Sequence, residues 1–141
     1  MKEMTDQLRK FAEAYTAAWC SHNASTVAAF YSQDGWLTIN DGLPAIGRAA
    51  ITEAAQEFMT SFPDMKVVMD DLTSDGEQAI YHWTLQGTHT GPGGTGKRVR
   101  ISGFEQWRIG PDGRIAESKG HFDSAEYQRQ LGRRVRSSHS K

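Results

Sequence analysis

Lys97-Arg98-Val99-Arg100-Ile101-Ser102-Gly103-Phe104-Glu105-Gln106-Trp107-Arg108-Ile109 alternates in character along its whole length. Successive side chains of a strand point to opposite faces. Val99, Ile101, Gly103, Glu105 and Trp107 therefore share one face, the core side. Arg98, Arg100, Ser102, Phe104, Gln106 and Arg108 share the other, which is mostly polar. Residues 78–90 alternate likewise, with Ala79, Tyr81, Trp83, Leu85, Gly87 and His89 against Ile80, His82, Thr84, Gln86 and Thr88. After the turn Gly110-Pro111-Asp112-Gly113, residues 114–122 set Ala116, Ser118, Gly120 and Phe122 against Ile115, Glu117, Lys119 and His121, with Asp123 following on the second face. Residues 65–72 alternate loosely, and Ser74-Asp75-Gly76 reads as a hairpin turn. The second half of the chain is thus a meander of antiparallel strands.

The first half is helical. Leu8, Phe11, Ala12, Tyr15, Ala18 and Trp19 recur at three- and four-residue spacing, which predicts a helix over 5–20 with one buried face. Ser21-His22-Asn23 breaks it. A short helix over about 25–31 follows, burying Val27, Phe30 and Tyr31. Ser32-Gln33-Asp34-Gly35 reads as a turn, residues 36–40 as a strand, and Asp41-Gly42-Leu43-Pro44 closes it. Ile51, Ala54, Ala55, Phe58 and Met59 stripe a helix over about 48–61, which Pro63 stops. A last helix spans about 124–131. Helices first and strands afterwards predict an α+β fold, with helices packed on one face of a curved sheet.

The chain has 141 residues, enough for one domain with a sizeable core. Residues 1–132 are read as that domain and 133–141 as a basic, flexible tail. Apolar residues make up 38% and charged residues 23%, a globular balance. No apolar run has the roughly 20 residues of a membrane span, and the N-terminus lacks the apolar run of a secretory signal. A cytoplasmic protein is expected, with no membrane partner. Cys20 is the single cysteine, which excludes an internal disulfide and a multi-cysteine zinc site. The formal charge is −1, which gives no sign of nucleic-acid binding. Residues 124–141 carry Arg129, Arg133, Arg134, Arg136 and Lys141 against Glu126, a net of +4, so the preceding 123 residues carry −5. The tail is either a solvated terminus or an arm for an acidic partner or neighbouring subunit.

Glu105 is the anomaly of its row, a carboxylate among apolar and aromatic neighbours. A buried carboxylate either pairs or stays protonated. Such groups suit acid–base work or hydrogen bonding to an oxyanion, and they also occur as structural carboxylates satisfied by Tyr, Trp or backbone donors. The small row Ala116, Ser118, Gly120 leaves room for a ligand on the concave face, or simply packs beneath the tryptophans. Gly91-Pro92-Gly93-Gly94-Thr95-Gly96-Lys97 has phosphate-loop spacing. However, Arg98 stands where Ser or Thr belongs, and a strand follows instead of a helix, so it reads as a strand connection. The histidines His22, His82, His89, His121 and His139 show no zinc-type spacing, and no metal or cofactor is expected. His121 and Asp123 share a face. They form either an acid–base pair turned inward by a bulge or a surface pair, with Asp123 capping the last helix.

Phe30-Tyr31-Ser32-Gln33-Asp34-Gly35, Gly42-Leu43-Pro44-Ala45-Ile46-Gly47, Gly87-Thr88-His89-Thr90-Gly91 and the ending from Asp123 to Gln130-Leu131-Gly132 resemble the SnoaL-like proteins of the nuclear transport factor two superfamily, over residues 5–132. The resemblance implies a cone, with a strongly curved sheet around helices and a pocket at the open end. It also implies a homodimer through the outer sheet face, which bears Arg98, Arg100, Phe104 and Arg108. The ketosteroid isomerase pattern of that superfamily puts an oxyanion-hole tyrosine at Tyr15 and a protonated acid at Glu105. Its general-base aspartate falls near Thr38 and Ile39, where this chain has no carboxylate. The cyclase pattern, aligned without gaps, falls on Glu117-Ser118-Lys119-Gly120 and loses its His and Asp; a shifted alignment recruits His121-Phe122-Asp123. The expected catalytic set is Glu105, Tyr15, His121 and Asp123. The expected substrate-binding set is Trp19, Trp36, Asn40, Trp83, Trp107 and Phe122. Three functions follow: isomerisation or aldol-type cyclisation of a small apolar carbonyl compound, non-catalytic binding of a small apolar ligand, or a dimeric association module.

Overall fold

A computed structural model describes residues 2–75 and 78–132. The order of elements is α1 (Lys2–Cys20), α2 (Ala24–Ala28), β1 (Tyr31–Ile39), β2 (Ala45–Ile46), α3 (Arg48–Ser61), β3 (Lys66–Asp75), β4 (Gln78–Thr88), β5 (Arg98–Ile109), β6 (Ile115–Phe122) and α4 (Ser124–Gln130). The six strands form one curved sheet in the order β2-β1-β6-β5-β4-β3. All neighbours are antiparallel except β1 and β6, which run parallel. This is the α+β architecture expected, with α1, α2 and α3 filling the concave side.

Alternation along β4 and β5 is observed as read. Val99, Ile101, Glu105 and Trp107 are buried, as are Ala79, Tyr81, Leu85 and His89. These two strands pair without interruption from Gln78↔Arg108 to Thr88↔Arg98. The glycine-rich connection between them is a hairpin end. The His89 N–H donates to the Lys97 carbonyl at 2.9 Å, and the Gly96 N–H donates back to the His89 carbonyl at 2.8 Å. The inner face of α1 buries Ala12, Tyr15 and Ala18, and that of α3 buries Ile51, Ala55 and Met59.

Three local expectations are corrected. Residues 32–35 do not turn the chain. They form an irregular start to β1, whose register against β6 shifts between Tyr31 and Trp36. Gly35 is needed there, because a Cβ would stand 2.8 Å from the Ile115 carbonyl oxygen. Tyr31 accordingly belongs to β1, and α2 ends at Ala28. In β6 a register shift between Arg108 and Ile109 turns Ile115 inward and leaves Ala116 half-buried, the reverse of strict alternation. Ser74 and Asp75 remain in the β3–β4 ladder, opposite Ala79 and Gln78. Gly76, the last residue of the expected hairpin turn, and the basic tail 133–141 lie outside the described residues.

Candidate functional site

Tyr81, Glu105 and Gly120 sit side by side on β4, β5 and β6, all facing inward. Ala79, Trp107 and Ser118 form the next inward row. Strand pairing thus brings Ser118 diagonally opposite Glu105, while Trp107 lies two residues along the same face. Helix α1 lays Tyr15 over both rows. Its ring meets Trp107 edge-on at 5.2 Å and Tyr81 at 5.4 Å, and Tyr81 stacks on Trp107 at 4.9 Å.

The Glu105 carboxyl is held through one oxygen. Its Oε1 accepts from the Tyr15 hydroxyl at 2.9 Å, from Trp107 Nε1–H at 2.8 Å and from the Ser118 hydroxyl at 3.1 Å. The Tyr15 oxygen lies 2.9 Å from the Tyr31 hydroxyl, which donates to it, since the Tyr15 proton is committed to Glu105. Oε2 has no protein hydrogen bond among the described residues, and Glu105 borders the cavity. Burial pushes the Glu105 carboxyl above the ordinary glutamate range, against the three donors, which favour the ionised form. Burial first, and the Glu105 charge second, hold Tyr15 and Tyr31 neutral well above the ordinary tyrosine value. Both hydroxyls therefore remain donors, and a proton on Glu105 belongs on Oε2.

The cavity has a volume of about 60 Å³ and opens between the sheet and helices α3 and α4. That is space for a few waters or the buried end of a small molecule. Its wall is apolar and aromatic: Trp19, Phe58, Tyr81, Trp83, Phe122 and Tyr127, with Leu37, Ile39, Ala54, Val67, Leu85, Ile101 and Gly120 between them. Glu105 is the only carboxylate among these residues. Phe122 meets Trp83 at 6.1 Å and Tyr127 at 5.4 Å, both edge-on, so β6 and α4 together build the mouth.

Trp19, Trp83, Phe122 and Glu105 of the expected set come together at this cavity. Tyr15 does not line it. It is fully buried and stands behind Glu105. Trp107 is also fully buried in that layer. Trp36 lies on the other face of β1, because the irregular start of the strand puts Leu37 and Ile39 inward instead. Asn40, in the left-handed region with φ of 52°, ties the strand ends together, its Oδ1 accepting from the Phe122 N–H at 2.9 Å. His121 lies on the outer face against Phe104, at 5.0 Å between ring centres. Asp123 caps α4, accepting from the Glu126 N–H at 3.0 Å. No bulge turns either residue inward. Phe58, Tyr81 and Tyr127 are absent from the expected lining. Phe58 and Tyr81 already stand on inward-facing rows of the sequence; the placement of Tyr127 depends on how α4 folds back.

Helices packed in the concave face of a curved, six-stranded, mainly antiparallel sheet make the cone of the ketosteroid isomerase-like class of fold. A family model described as SnoaL-like polyketide cyclase matches residues 9–131, and the chain belongs to that family. Comparison with curated proteins finds no match. Among solved structures, the chain is similar to a hypothetical protein of ketosteroid isomerase-like fold from Catenulispora acidiphila in complex with trimethylamine. The TM-score is 0.78 at 15% identity, covering 88% of this chain and 93% of that one. It is similar to TsrD from Streptomyces laurentii, with a TM-score of 0.78 at 22% identity, covering 89% and 94%. It is also similar to the epoxide hydrolase/cyclase-like enzyme SalBIII of pyran ring formation in polyether salinomycin, with a TM-score of 0.74 at 14% identity, covering 86% and 95%. At these identities the likeness is one of fold. No described helix is long and apolar enough to cross a membrane.

Proposed function

We propose that this protein binds a small apolar carbonyl compound in the cavity and moves a proton on it through Oε2 of Glu105. The observation that carries this reading is the division of labour within one carboxyl: Oε1 takes all three protein donors and Oε2 is left to the cavity. Ionised, Oε2 takes a proton from the carbon next to the carbonyl, and the electron pair of that C–H bond moves onto the carbonyl oxygen as an enolate. Protonated, Oε2 returns the proton to the same or a vinylogous carbon, which restores the carbonyl and the carboxylate. Burial raises the proton affinity of this carboxyl, which favours its return of the proton, and the three donors on Oε1 favour the ionised form that takes it. Tyr15, Trp107 and Ser118 act as positioning residues. Trp19, Trp83 and Phe122 contact the apolar body of the ligand.

The test is exchange of the α-protons of cyclohexanone in D2O, followed by proton NMR, for the native protein and Glu105→Gln. The amide introduced by that substitution keeps an oxygen for the three donors and places NH2 toward the cavity, so the fold and ligand binding persist. Exchange is expected to fall by about 10²- to 10⁴-fold. Unchanged exchange contradicts proton transfer by Glu105.

The same reading takes the outer sheet face as the contact between two copies of this chain. Phe104 supports it, a half-buried aromatic in a polar row, flanked across the strands by His82 at 5.8 Å and His121 at 5.0 Å.

A further inference from the structure

Among the described residues Glu105 meets no counter-charge. The arginines that pair with carboxylates stand at the surface: Arg108 with Glu117 at 2.9 Å, Arg129 with Glu126 at 2.6 Å and Arg98 with Asp64 at 3.5 Å. The described residues that line the cavity include no lysine, arginine or histidine. The three groups on Oε1 are neutral donors: a tyrosine, an indole and a serine. They favour the ionised form without balancing its charge, and burial opposes it. Glu105 is 8% exposed, and its Oε2 is left to an apolar cavity. A ligand that brings a positive charge completes such a carboxylate. Residues 1–123 carry a net charge of −5, a field that draws cations toward the protein.

The wall and the oxygen together select the kind of cation. Trp19, Phe58, Tyr81, Trp83, Phe122 and Tyr127 line the cavity with aromatic rings. Aromatic walls suit ammonium ions that carry alkyl groups. A metal ion takes several oxygen ligands, and no group of three His, Cys, Asp or Glu comes together among the described residues. Oε2 is one acceptor, and the Tyr81 hydroxyl on the neighbouring strand is engaged with that of Thr16. A primary ammonium brings three N–H groups and leaves two of them to be buried without this partner. A protonated tertiary amine brings one.

We propose that the cavity is also a site for a small tertiary amine, held as its ammonium ion, with the single N–H donating to Oε2 of Glu105 and the alkyl groups against the aromatic wall. Where Glu105 is protonated, its Oε2–H bond breaks and the proton passes to the lone pair of the amine nitrogen. An N–H bond forms, and ammonium and carboxylate then face each other. This goes beyond the carbonyl reading and does not rest on it. Both ligands use the same oxygen, so the amine displaces the ketone.

The experiment is the carboxyl 13C titration of Glu105 with two probes at saturation: N-methylpyrrolidine, and methylcyclopentane, the hydrocarbon with the same ring and methyl group. N-methylpyrrolidine is expected to lower the Glu105 midpoint by about one to three pH units, because the bound cation favours the carboxylate. Methylcyclopentane removes water and brings no charge, so it is expected to raise the midpoint. By calorimetry, affinity for N-methylpyrrolidine should climb about tenfold per pH unit below the midpoint of the free protein and level off above it. Glu105→Gln should weaken it by about tenfold or more and remove that climb. Cyclopentylamine, a primary amine, should bind about tenfold more weakly than N-methylpyrrolidine.

A Glu105 midpoint that stays or rises with N-methylpyrrolidine overturns the amine site, as does affinity indifferent to Glu105→Gln. Failure of N-methylpyrrolidine to bind overturns it too, and cyclohexanone binding to the same protein then leaves the carbonyl reading standing. Cyclopentylamine binding as tightly as N-methylpyrrolidine overturns the choice of a tertiary amine. Should Glu105→Gln not fold, the opposite movements of the native midpoint with the two probes decide by themselves.

Discussion

The Tyr15 hydroxyl donates to Oε1 of Glu105 across 2.9 Å, from behind the carboxyl as seen from the cavity. The tyrosine therefore does not reach a ligand in the cavity. It acts on the carboxyl, fixing which oxygen faces inward and drawing its proton affinity down against the effect of burial. The cavity presents the Glu105 carboxyl without Tyr15.

Tyr15→Phe removes that donor and the acceptor of the Tyr31 hydroxyl together. The loss is expected to be about 1–3 kcal/mol, seen as a lower denaturant midpoint with an unchanged slope. Glu105 should also titrate higher than in the native protein, because a hydrogen bond to its ionised form is gone.

Stability should depend on pH through Glu105. Its value in the folded protein lies above that of an unfolded glutamate, about 4.3. Between the two values the folded state holds a proton that the unfolded state has released. Stability is therefore fully present below about pH 4.3 and falls as pH rises through the folded value. Glu126, held at about 2 by Arg129, acts with the opposite sign and only below that window. Unfolding free energies measured from about pH 4.5 upward should decline in the native protein and lose most of that slope in Glu105→Gln.

Gly120 stands directly across the strands from Glu105 and lines the cavity. A Cβ there meets the Thr38 carbonyl oxygen at 3.4 Å and Glu105 Cγ at 3.8 Å, ordinary contacts, on a backbone that any residue adopts. Gly120→Ala is expected to leave the melting temperature unchanged or slightly raised. The methyl occupies cavity space beside the carboxyl, so cyclohexanone should bind more weakly in an NMR titration.

Phe104→Asp places a charge at the centre of the outer sheet face, between His82 and His121. With the outer face as the contact between copies, sedimentation velocity should show a dimer for the native protein and a monomer for the variant, with circular dichroism unchanged.

Glu105 is legible from the sequence because β4 and β5 pair without a break, so simple alternation gives the correct face for every residue from 98 to 108. Alternation fails wherever the backbone is irregular. Trp36 reads as a pocket residue while residues 32–35 pass for a turn, whereas they shift the register of β1 against β6 and send Leu37 inward instead. Ile115 and Ala116 exchange places across a second register shift. The parallel pairing of β1 with β6 sets Trp36 beside Glu117, a distant partner that no local pattern encodes.

Contacts that decide the site are less legible still. The sequence marks Tyr15 and Glu105 separately, but not that one stands behind the other. His121 and Asp123 carry the right chemistry for an acid–base pair. Yet β6 pairs regularly from Glu117 to Phe122, so His121 faces out and Asp123 is drawn into capping α4. The gathering of three donors on one oxygen of Glu105 is a property of the packed protein alone, because a carboxyl finds its partners only once its neighbours are in place.

The most direct test is the carboxyl 13C titration of Glu105 by NMR, in the free protein and at saturating cyclohexanone. The carboxyl should titrate above the ordinary glutamate range, and its midpoint should move when the ketone occupies the cavity beside Oε2. A carboxyl titrating in the ordinary range, indifferent to bound ketone, would contradict the assignment of Oε2 as the group that acts on the ligand.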